Sequence, residues 1–211
     1  MVGLLKKYFE LTPEQCALFE RMAQVYGYWN ERINVVSRKD MENFVERHIL
    51  HSLSLAKLGL FESGDRVMDV GCGGGFPVVP LAIIYPDVHF TAVDSIGKKI
   101  RVVSEVVREL GLGNVEAHNC RAESLTGEWE WIVSRAVAPQ AQVMEWVSGR
   151  WQKGVLTLKG GDLTTELAEV KLPRGAESQI LSISDIFEEE FFQTKQIIAI
   201  FDKKVAKKFG K

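Results

Sequence analysis

Residues 67–77 read Val67-Met68-Asp69-Val70-Gly71-Cys72-Gly73-Gly74-Gly75-Phe76-Pro77, and this stretch decides the fold. Its apolar start predicts a buried β-strand, and its end predicts the beginning of a helix. Between the two, Gly71, Gly73 and Gly75 fall at every second position. Glycine tolerates positive φ angles and lets another molecule approach the backbone closely. The stretch therefore predicts a ligand bound at a strand-to-helix turn.

The glycine spacing distinguishes two kinds of cofactor loop. A dinucleotide fingerprint would place its third glycine at position 76, where it packs the helix against the strand beneath a pyrophosphate. Position 76 is Phe, which disfavours a nicotinamide dinucleotide. The remaining pattern, Asp-x-Gly-x-Gly-x-Gly, resembles the first motif of S-adenosylmethionine-dependent methyltransferases with a Rossmann-like fold. This resemblance implies that the loop runs beneath the methionine part of the cofactor, with Asp69, Gly71, Gly73, Gly75 and Phe76 as binding residues.

A second cofactor-binding residue is expected after the next strand. Asp94 follows the alternating segment 88–93 and lies 23 positions after Gly71, near the spacing of about 20 that is typical of a ribose-binding acid. A carboxylate can accept both hydrogen bonds of a ribose diol. Strand, loop, helix and spaced acid together predict a cofactor site. The alternative is a glycine-rich turn followed by an Asp that caps a helix.

Length and charge limit the class of protein. With 211 residues, 46% of them hydrophobic and 26% charged, the chain suits one sizeable α/β domain, or a domain with a small helical appendage. The net charge of −2 and the isoelectric point near 6.1 argue against a protein that coats nucleic acid by bulk electrostatics. Any contact with nucleic acid must come from a local patch. One candidate is the lysine-rich end, although such a run is also typical of a solvated terminus; it comprises Lys203, Lys204, Lys207, Lys208 and Lys211.

Neither a metal nor a membrane segment is expected. The cysteines Cys16, Cys72 and Cys120 are scattered without Cys-x-x-Cys spacing, so they indicate no disulfide framework and no zinc site. His48 and His51 stand three apart on a predicted helix, but no clustered third ligand accompanies them. No apolar run reaches the roughly 18 residues that span a bilayer, and the first residues lack a signal-peptide core. We expect a soluble, cytoplasmic protein.

The chain divides into two predicted parts. Residues 1–62 are expected to form an N-terminal helical cap that is integral to the fold, and residues 63–211 the cofactor-binding core. In the cap, Thr12-Pro13-Glu14-Gln15 is typical of a capping box. A second helical region is expected from about Asp40 to Leu58, with Gly59 as its C-cap.

In the core, predicted strands alternate with helices, which favours a mostly parallel sheet with helices on both faces. The predicted strands are residues 66–70, 88–93, 114–118, 130–134, 155–159, 179–184 and 196–201. The helices between them are predicted to begin near Phe76, Gly97, Pro139 and Asp162.

Ligands of open parallel sheets bind beyond the carboxyl ends of the strands. Besides the glycine loop and Asp94, this rule selects Ser95, the pair Ala122 and Glu123, Arg135 and Lys159. Ala122 and Glu123 could hold an adenine edge through a backbone amide and a carboxylate. For Glu123, an ordinary surface acid is an equally good interpretation.

Further segments match one family, in order, from about Trp29 to Phe201. They are Trp29-Asn30-x-x-Ile33-Asn34-Val35-x-Ser37, Arg47-His48-Ile49-Leu50, Gly71 to Leu81 with Pro77 and Pro80, Asp94-Ser95-x-Gly97-Lys98-Lys99, Ser134-Arg135-Ala136 and Leu158-Lys159-Gly160. Together they resemble the GidB (RsmG) family, bacterial enzymes that methylate guanine N7 in small-subunit (16S) ribosomal RNA. The resemblance implies a Rossmann-like class I methyltransferase fold with a seven-stranded sheet. It also implies S-adenosyl-L-methionine as cofactor and ribosomal RNA, or the small ribosomal subunit, as partner. We expect the protein to be a monomer.

The resemblance assigns roles to several residues. Gly71 and Phe76 should line the methionine side of the cofactor, Asp94 and Ser95 its ribose, and Ala122 with Glu123 its adenine. Arg135 should face the cleft and is also expected to bind the cofactor. Two positions depart from the family pattern, which usually has Asp where this chain has His51 and Gly where it has Val78.

Guanine N7 carries a lone pair and no proton, so its methylation requires alignment rather than a general base. We therefore expect the catalytic candidates Arg135 and Lys159 to hold an RNA phosphate or the guanine O6 edge. The alternative for both is a salt bridge to Asp69 or Glu123. Other functions stay open on the sequence: a nicotinamide oxidoreductase, a cofactor-binding scaffold on the ribosome, or a methyltransferase of another RNA or of a small molecule.

Overall fold

The structure is a computed structural model that describes residues 2–33 and 35–208. Asn34 of the first family motif and Lys211 of the lysine-rich end lie outside the described residues, as do the side chains of Lys207 and Lys208. Seven strands form one sheet: β1 (Arg66–Val70), β2 (His89–Asp94), β3 (Val115–Asn119), β4 (Trp129–Arg135), β5 (Trp151–Gly160), β6 (Ala176–Ser182) and β7 (Lys195–Asp202).

The α-helices are α1 (Val2–Lys6), α2 (Pro13–Asn30), α3 (Arg38–Met41), α4 (His51–Leu53), α5 (Val78–Ile84), α6 (Gly97–Leu110), α7 (Gln140–Trp146) and α8 (Thr164–Ala168). A π-helix, Val45–Leu50, runs directly into α4. Short 3₁₀ turns occupy Ala56–Leu58, Ala122–Ser124, Ile183–Asp185, Glu190–Thr194 and Lys203–Lys208.

The strand order is β3-β2-β1-β4-β5-β7-β6. Strands β1 to β5 pair with one another in parallel, whereas β7 runs antiparallel to both β5 and β6. The prediction of a mostly parallel seven-stranded sheet is confirmed. Because the chain builds outward from β1 to β3 and then returns to place β4 beside β1, the topological switch point lies between β1 and β4, where ligands of such sheets bind.

The predicted elements differ from the observed ones mainly at their ends. Each predicted strand overlaps an observed one, and the largest displacement is at β5, which begins at Trp151 rather than at residue 155. Helix α5 begins at Val78, and Pro139 is the N-cap of α7. The capping box is confirmed: the Thr12 hydroxyl accepts from the Gln15 amide, and the Gln15 side chain accepts from the Thr12 amide.

The region from Asp40 to Leu58 is helical but is not one regular helix. It divides into α3, the π-helix, α4 and a 3₁₀ turn that ends at Gly59, whose φ of 61° makes it the expected C-cap. The hydroxyl of Ser52 donates to the carbonyl of His48, and that of Ser54 to the carbonyl of His51. Such back-bonding competes with the regular α-helical ladder and bends helices, which the apolar spacing did not reveal.

The N-terminal helices share a hydrophobic core with one face of the sheet. Phe19, Met22 and Tyr26 of α2 are fully buried in a cluster that also contains residues of α5, α6 and β1. A second cluster on the other face joins α7 to β1, β4 and β5. The division of the chain at residue 62 stays a prediction. Within the described residues, no helix is long and apolar enough to cross a membrane.

Candidate functional site

A cavity of about 420 Å³ opens at the switch point of the sheet, beyond the carboxyl ends of β1, β2 and β4. Its volume lies in the range of about 300–1,000 Å³ that is typical of small-molecule sites. Most of the predicted site residues line it, namely Gly71, Gly73, Phe76, Asp94, Ser95, Ala122, Glu123 and Arg135. Asp69, Gly75 and Lys159 are not part of its wall.

The glycine loop forms the floor of the cavity. Gly71 has a φ of 67°, and a Cβ atom there would lie 2.2 Å from Cγ2 of Val137. Gly73 has a φ of 56°, and the position of its absent Cβ has no atom within 4 Å, so it faces the open cavity. A side chain at either position would require a strained backbone, and at Gly73 it would also take up ligand space.

The loop is supported from behind by the N-terminal helices. The phenol of Tyr26 donates a hydrogen bond of 2.5 Å to the carbonyl of Gly74. A Cβ on Gly75 would lie 2.7 Å from the same phenol oxygen, so this glycine is needed for packing against α2 rather than for lining the cavity. Val35, which follows α2, lines the cavity and packs against Gly74.

Asp94 ends β2 with its carboxylate at the cavity wall. One oxygen accepts from the Gly73 amide at 3.0 Å and the other from the Ile96 amide at 2.8 Å. A carboxylate offers about four acceptor positions, so this one can still accept from a ligand diol. The same carboxylate therefore holds the glycine loop against the end of β2 and also faces the cavity. Ser95, the next residue, is exposed at the same wall.

The turn Ala122–Ser124 after β3 forms the far wall of the cavity, and one arginine holds it. The guanidinium of Arg150 donates to the carbonyls of Ala122, Glu123 and Leu125, each at 2.7 Å. These bonds use carbonyl oxygens only, so the Glu123 carboxylate is free of Arg150. The sequence gives no signal for this contact, because Arg150 lies in the connection before β5.

Asp69 lies beneath the glycine loop and is fully buried. One oxygen accepts from the amide of Val78 at 3.1 Å, and the other has no hydrogen-bond partner among the described residues. Burial raises the pKa of Asp69 to about 7, mainly through loss of hydration. The position of Asp69 favours a role in shaping the loop, since it joins β1 to the start of α5.

Arg135 ends β4 and lines the cavity beside the glycine loop. Its guanidinium lies 4.9 Å from the ring centre of Phe76, and its Nη2 lies 3.0 Å from Nδ1 of His48. Its Nη1 donates to the carbonyl of Arg47 at 3.4 Å. Burial lowers the pKa of Arg135 to about 10, which still leaves the side chain charged at neutral pH.

Lys159 lies in an adjoining groove of about 600 Å³ rather than in the cavity. Its ammonium group is ion-paired with Glu166 and donates to the carbonyl of Ala138 at 2.6 Å. The alternative of a salt bridge to Asp69 or Glu123 is wrong for Lys159, and the described ion pairs include none for Arg135. The groove and the cavity share one wall, Ala136 and Val137.

The shared wall is strained. Ala136 has a φ of 47°, a left-handed conformation that non-glycine residues rarely adopt outside constrained sites. Val137 follows it, is 37% exposed, and lies directly against Gly71. The segment after β4 therefore separates two openings and touches the loop beneath one of them.

The histidines of the π-helical region face protein rather than a metal site. His51 is buried and packs against the rings of Phe191 and Phe192, with centroids 5.6 and 6.0 Å away. Burial lowers the pKa of both His48 and His51 to about 3. Across residues 2–33 and 35–208, no group of three or more His, Cys, Asp or Glu side chains could hold a metal ion.

Three contacts of the site were not predicted from the sequence: Tyr26 to Gly74, Arg150 to the turn after β3, and His48 to Arg135. Each joins residues far apart in the chain, and none has a local spacing rule. The one available signal was that both His48 and Arg135 lie in segments that resemble the family.

Solved structures of low sequence identity share the fold. A methyltransferase from Aquifex aeolicus, titled as dependent on S-adenosylmethionine, aligns with a TM-score of 0.57 at 14% identity, over 79% of this chain and 99% of that one. A mutant of MtNAS in complex with S-adenosylmethionine aligns with a TM-score of 0.56 at 16% identity, over 88% of this chain and 72% of that one. These matches confirm the Rossmann-like methyltransferase fold.

Sequence relatives extend over nearly the whole chain. A ribosomal RNA small subunit methyltransferase G from Christiangramia forsetii is 49% identical over 92% of this chain and 94% of its own length. One of the same name from Cytophaga hutchinsonii is 43% identical over 93% of this chain and 98% of its own length. The profile of the GidB family, described as rRNA small subunit methyltransferase G, matches residues 15–190. The chain therefore belongs to the GidB family of small-subunit ribosomal RNA methyltransferases.

Proposed function

We propose that this protein transfers a methyl group from S-adenosyl-L-methionine to N7 of a guanine in small-subunit (16S) ribosomal RNA. The observation that carries the proposal is the cavity at the switch point, because it joins the glycine loop, Asp94 and the Ala122–Ser124 turn in a member of the GidB family. A nicotinamide oxidoreductase is disfavoured by the family and by Phe76, which stands in place of the third fingerprint glycine.

The residues of the cavity fit this cofactor. The bare backbone at Gly71 and Gly73 leaves room for the methionine part, and the spare acceptor positions of Asp94 suit a ribose diol. Ala122, Glu123 and Ser95 also line the cavity, and we propose that the first two hold the adenine edge and that Ser95 contacts the ribose. When bound, S-adenosylmethionine supplies an activated methyl group on a sulfonium. We propose that Asp69 and Gly75 act from beneath, by holding the loop in shape.

The residues of the chain need to align guanine N7 with the methyl group and to exclude water. They do not need to move a proton. Guanine N7 has no proton to lose, so no general base is required. His48 is the nearest imidazole to Arg135, and its lowered pKa of about 3 reflects burial rather than activation as a base. Phe76 and Val137 contribute apolar surface to the cavity lining, and such surface helps to keep water from the reacting atoms.

Arg135 suits an RNA phosphate better than the guanine O6 edge. A cation bonded to O6 would withdraw electron density from the ring and weaken N7 as a nucleophile. A phosphate instead gains a charge-assisted hydrogen bond and is held without that penalty. We therefore propose that Arg135 binds a phosphate at or beside the target nucleotide.

We propose that the guanine enters through the groove beside Ala136 and Val137, because this groove shares a wall with the cavity. Lys159 lies in that groove with its charge paired to Glu166. Its bond to the Ala138 carbonyl supports the shared wall, and its predicted contact with RNA stays a prediction.

The same proposal includes a cytoplasmic monomer that acts on the ribosomal RNA or on the assembled small subunit. Two other functions predict different behaviour in one assay. A scaffold would bind cofactor and RNA without turnover, and a methyltransferase of a small molecule would act without RNA.

The test is transfer of labelled methyl from S-adenosylmethionine to small ribosomal subunits, and to their naked RNA, from cells that lack this methyltransferase. We expect one labelled guanine that maps as N7-methylguanine. Arg135→Ala should reduce transfer at least tenfold, whereas Arg108→Ala should not, because Arg108 is an exposed helix residue paired with Glu105. No label despite intact cofactor binding would overturn the proposal in favour of a scaffold or another acceptor.

A further inference from the structure

The N-terminal helical region makes polar contacts with Arg135 at the wall of the cavity. Nδ1 of His48 lies 3.0 Å from Nη2 of Arg135, and the neighbouring carbonyl of Arg47 accepts from Nη1. Both acceptors belong to the π-helix Val45–Leu50. Such helices are rare and occur often at functional sites. One turn of this helix thus presents two acceptors to one guanidinium.

The direction of the bond follows from the chemistry of the two groups. A guanidinium has donors only, so Nδ1 of His48 must accept and the ring proton must lie on Nε2. Burial, reinforced by the charge of Arg135, lowers the pKa of His48 and keeps the ring neutral at neutral pH. The lone pair on Nδ1 is therefore available across the pH range in which the protein works.

Both groups that hold Arg135 are uncharged. Among the described residues Asp40 is bound to Arg47, and Asp69 is bound to the Val78 amide; neither forms an ion pair with Arg135. A carboxylate at the position of His48 would fix the guanidinium but would also neutralise it. A neutral acceptor fixes its direction and leaves the positive charge available for an anion.

We propose that His48 is a positioning residue for methyl transfer, which holds the guanidinium of Arg135 toward the cavity and leaves its charge free for an RNA phosphate. The inference rests on the proposed function, since it requires Arg135 to contact the substrate. Because the neutral imidazole acts as a hydrogen-bond acceptor, an uncharged side chain with an acceptor at a similar position should substitute for it.

Two substitutions separate this role from packing. The ring of His48 packs against Phe44 and Phe76, with centroids 5.8 and 5.0 Å away. His48→Phe keeps an aromatic ring there but removes the acceptor. His48→Asn provides an amide oxygen near the position of Nδ1. Both variants are compared with the wild type in kcat and KM for methyl transfer to small-subunit RNA, in melting temperature and in binding of S-adenosylhomocysteine.

We expect H48F to lower kcat/KM for RNA by about 10- to 100-fold, the usual effect of losing a hydrogen bond to a charged group. H48N should recover to within about fivefold of the wild type. In an R135A background, H48F should change the rate by less than about threefold, because its effect acts through Arg135. Equal losses in both backgrounds, or a loss in H48N as large as in H48F, would overturn the proposal.

A spectroscopic measurement keeps the inference testable without turnover. The ¹⁵N resonances of His48 should report a single neutral tautomer, protonated on Nε2, from about pH 6 to pH 8. R135A should shift the Nδ1 resonance. A ring that titrates in this range, or one protonated on Nδ1, contradicts the inference even if a variant fails to fold. Absence of methyl transfer by the wild type would refute the proposed function instead, and the resonances would still report the contact.

Discussion

The phenol of Tyr26 and the carbonyl of Gly74 are joined by a hydrogen bond of 2.5 Å, 48 residues apart in the chain. This bond links α2 to the loop that forms the floor of the cavity. The phenol is buried, and burial raises its pKa well above the usual value, so it stays protonated and donates. The shape of the cofactor loop thus depends on a residue outside the sheet.

Tyr26→Phe should weaken cofactor binding as well as stability. The substitution keeps the ring contacts with Phe44 and Phe76 but leaves the Gly74 carbonyl without its donor. We expect a loss of about 1–3 kcal/mol in the free energy of unfolding and a several-fold weaker affinity for S-adenosylhomocysteine. Tyr85→Phe is the control, since its hydroxyl bonds to Ala56 away from the loop. Equal affinity in the two variants would contradict the role of Tyr26.

Gly71→Ala should weaken cofactor binding by more than the backbone strain of the substitution alone would explain. Gly71 and Gly111 have nearly the same φ, 67° and 66°, so alanine imposes a similar backbone strain of about 1–2 kcal/mol at both. Only at Gly71 does the added Cβ meet another residue, Val137. Calorimetry should show G71A binding S-adenosylhomocysteine at least tenfold more weakly, with G111A unchanged. A similar loss of affinity in G111A would mean that global stability, not the loop, controls binding.

Arg150→Ala should loosen the turn Ala122–Ser124, which we propose binds the adenine of the cofactor. It removes three hydrogen bonds from a charged donor to the carbonyls of Ala122, Glu123 and Leu125. We expect the affinity for the cofactor to fall at least tenfold, which is about the effect of losing one hydrogen bond to a charged group. Arg66→Ala is the matched control, because Arg66 pairs with Glu130 at the amino end of β1. An R150A variant with wild-type affinity would show that the turn keeps its conformation without Arg150.

The pH dependence of stability should carry the signature of Asp69. Its pKa is about 7 in the folded state against 3.8 for the ordinary group. Between these values the unfolded state releases a proton that the folded state keeps, so rising pH favours unfolding. The free energy of unfolding should therefore fall from about pH 4 to pH 7 by this contribution and then level off.

Asp69→Asn removes that contribution while keeping an acceptor for the Val78 amide. We expect D69N to gain about 1–4 kcal/mol over the wild type between pH 4 and pH 7.5, measured by denaturant unfolding. The lowered pKa values of His48 and His51 make the free energy of unfolding rise with pH below pH 6.5. This contribution is the same in D69N and in the wild type, so it cancels in their difference. A difference that does not vary with pH would show that Asp69 is ionised throughout.

The sequence predicted the sheet and the central part of the site because those features are local. Alternation of strands and helices, the glycine loop and the spacing of Asp94 are each legible within a few tens of residues. The ends of β5 could not be predicted in this way, because pairing with the neighbouring strands decides them. The interruption of the helix before Gly59 could not be predicted either, because hydrogen bonds from serine side chains to the helix backbone decide it. The partners of Arg135 and Lys159 were also hidden, since His48 and Glu166 are chosen by three-dimensional packing.

The separation of 87 positions between His48 and Arg135 also determines when the site can form during synthesis. The helices that present Phe19, Tyr26 and Phe44 leave the ribosome first, but the sheet that covers their apolar faces follows much later. A nascent chain that ends before β4 still lacks Arg135 and the wall at Val137. We expect such chains to expose apolar surface and to require protection until about 140 residues have emerged.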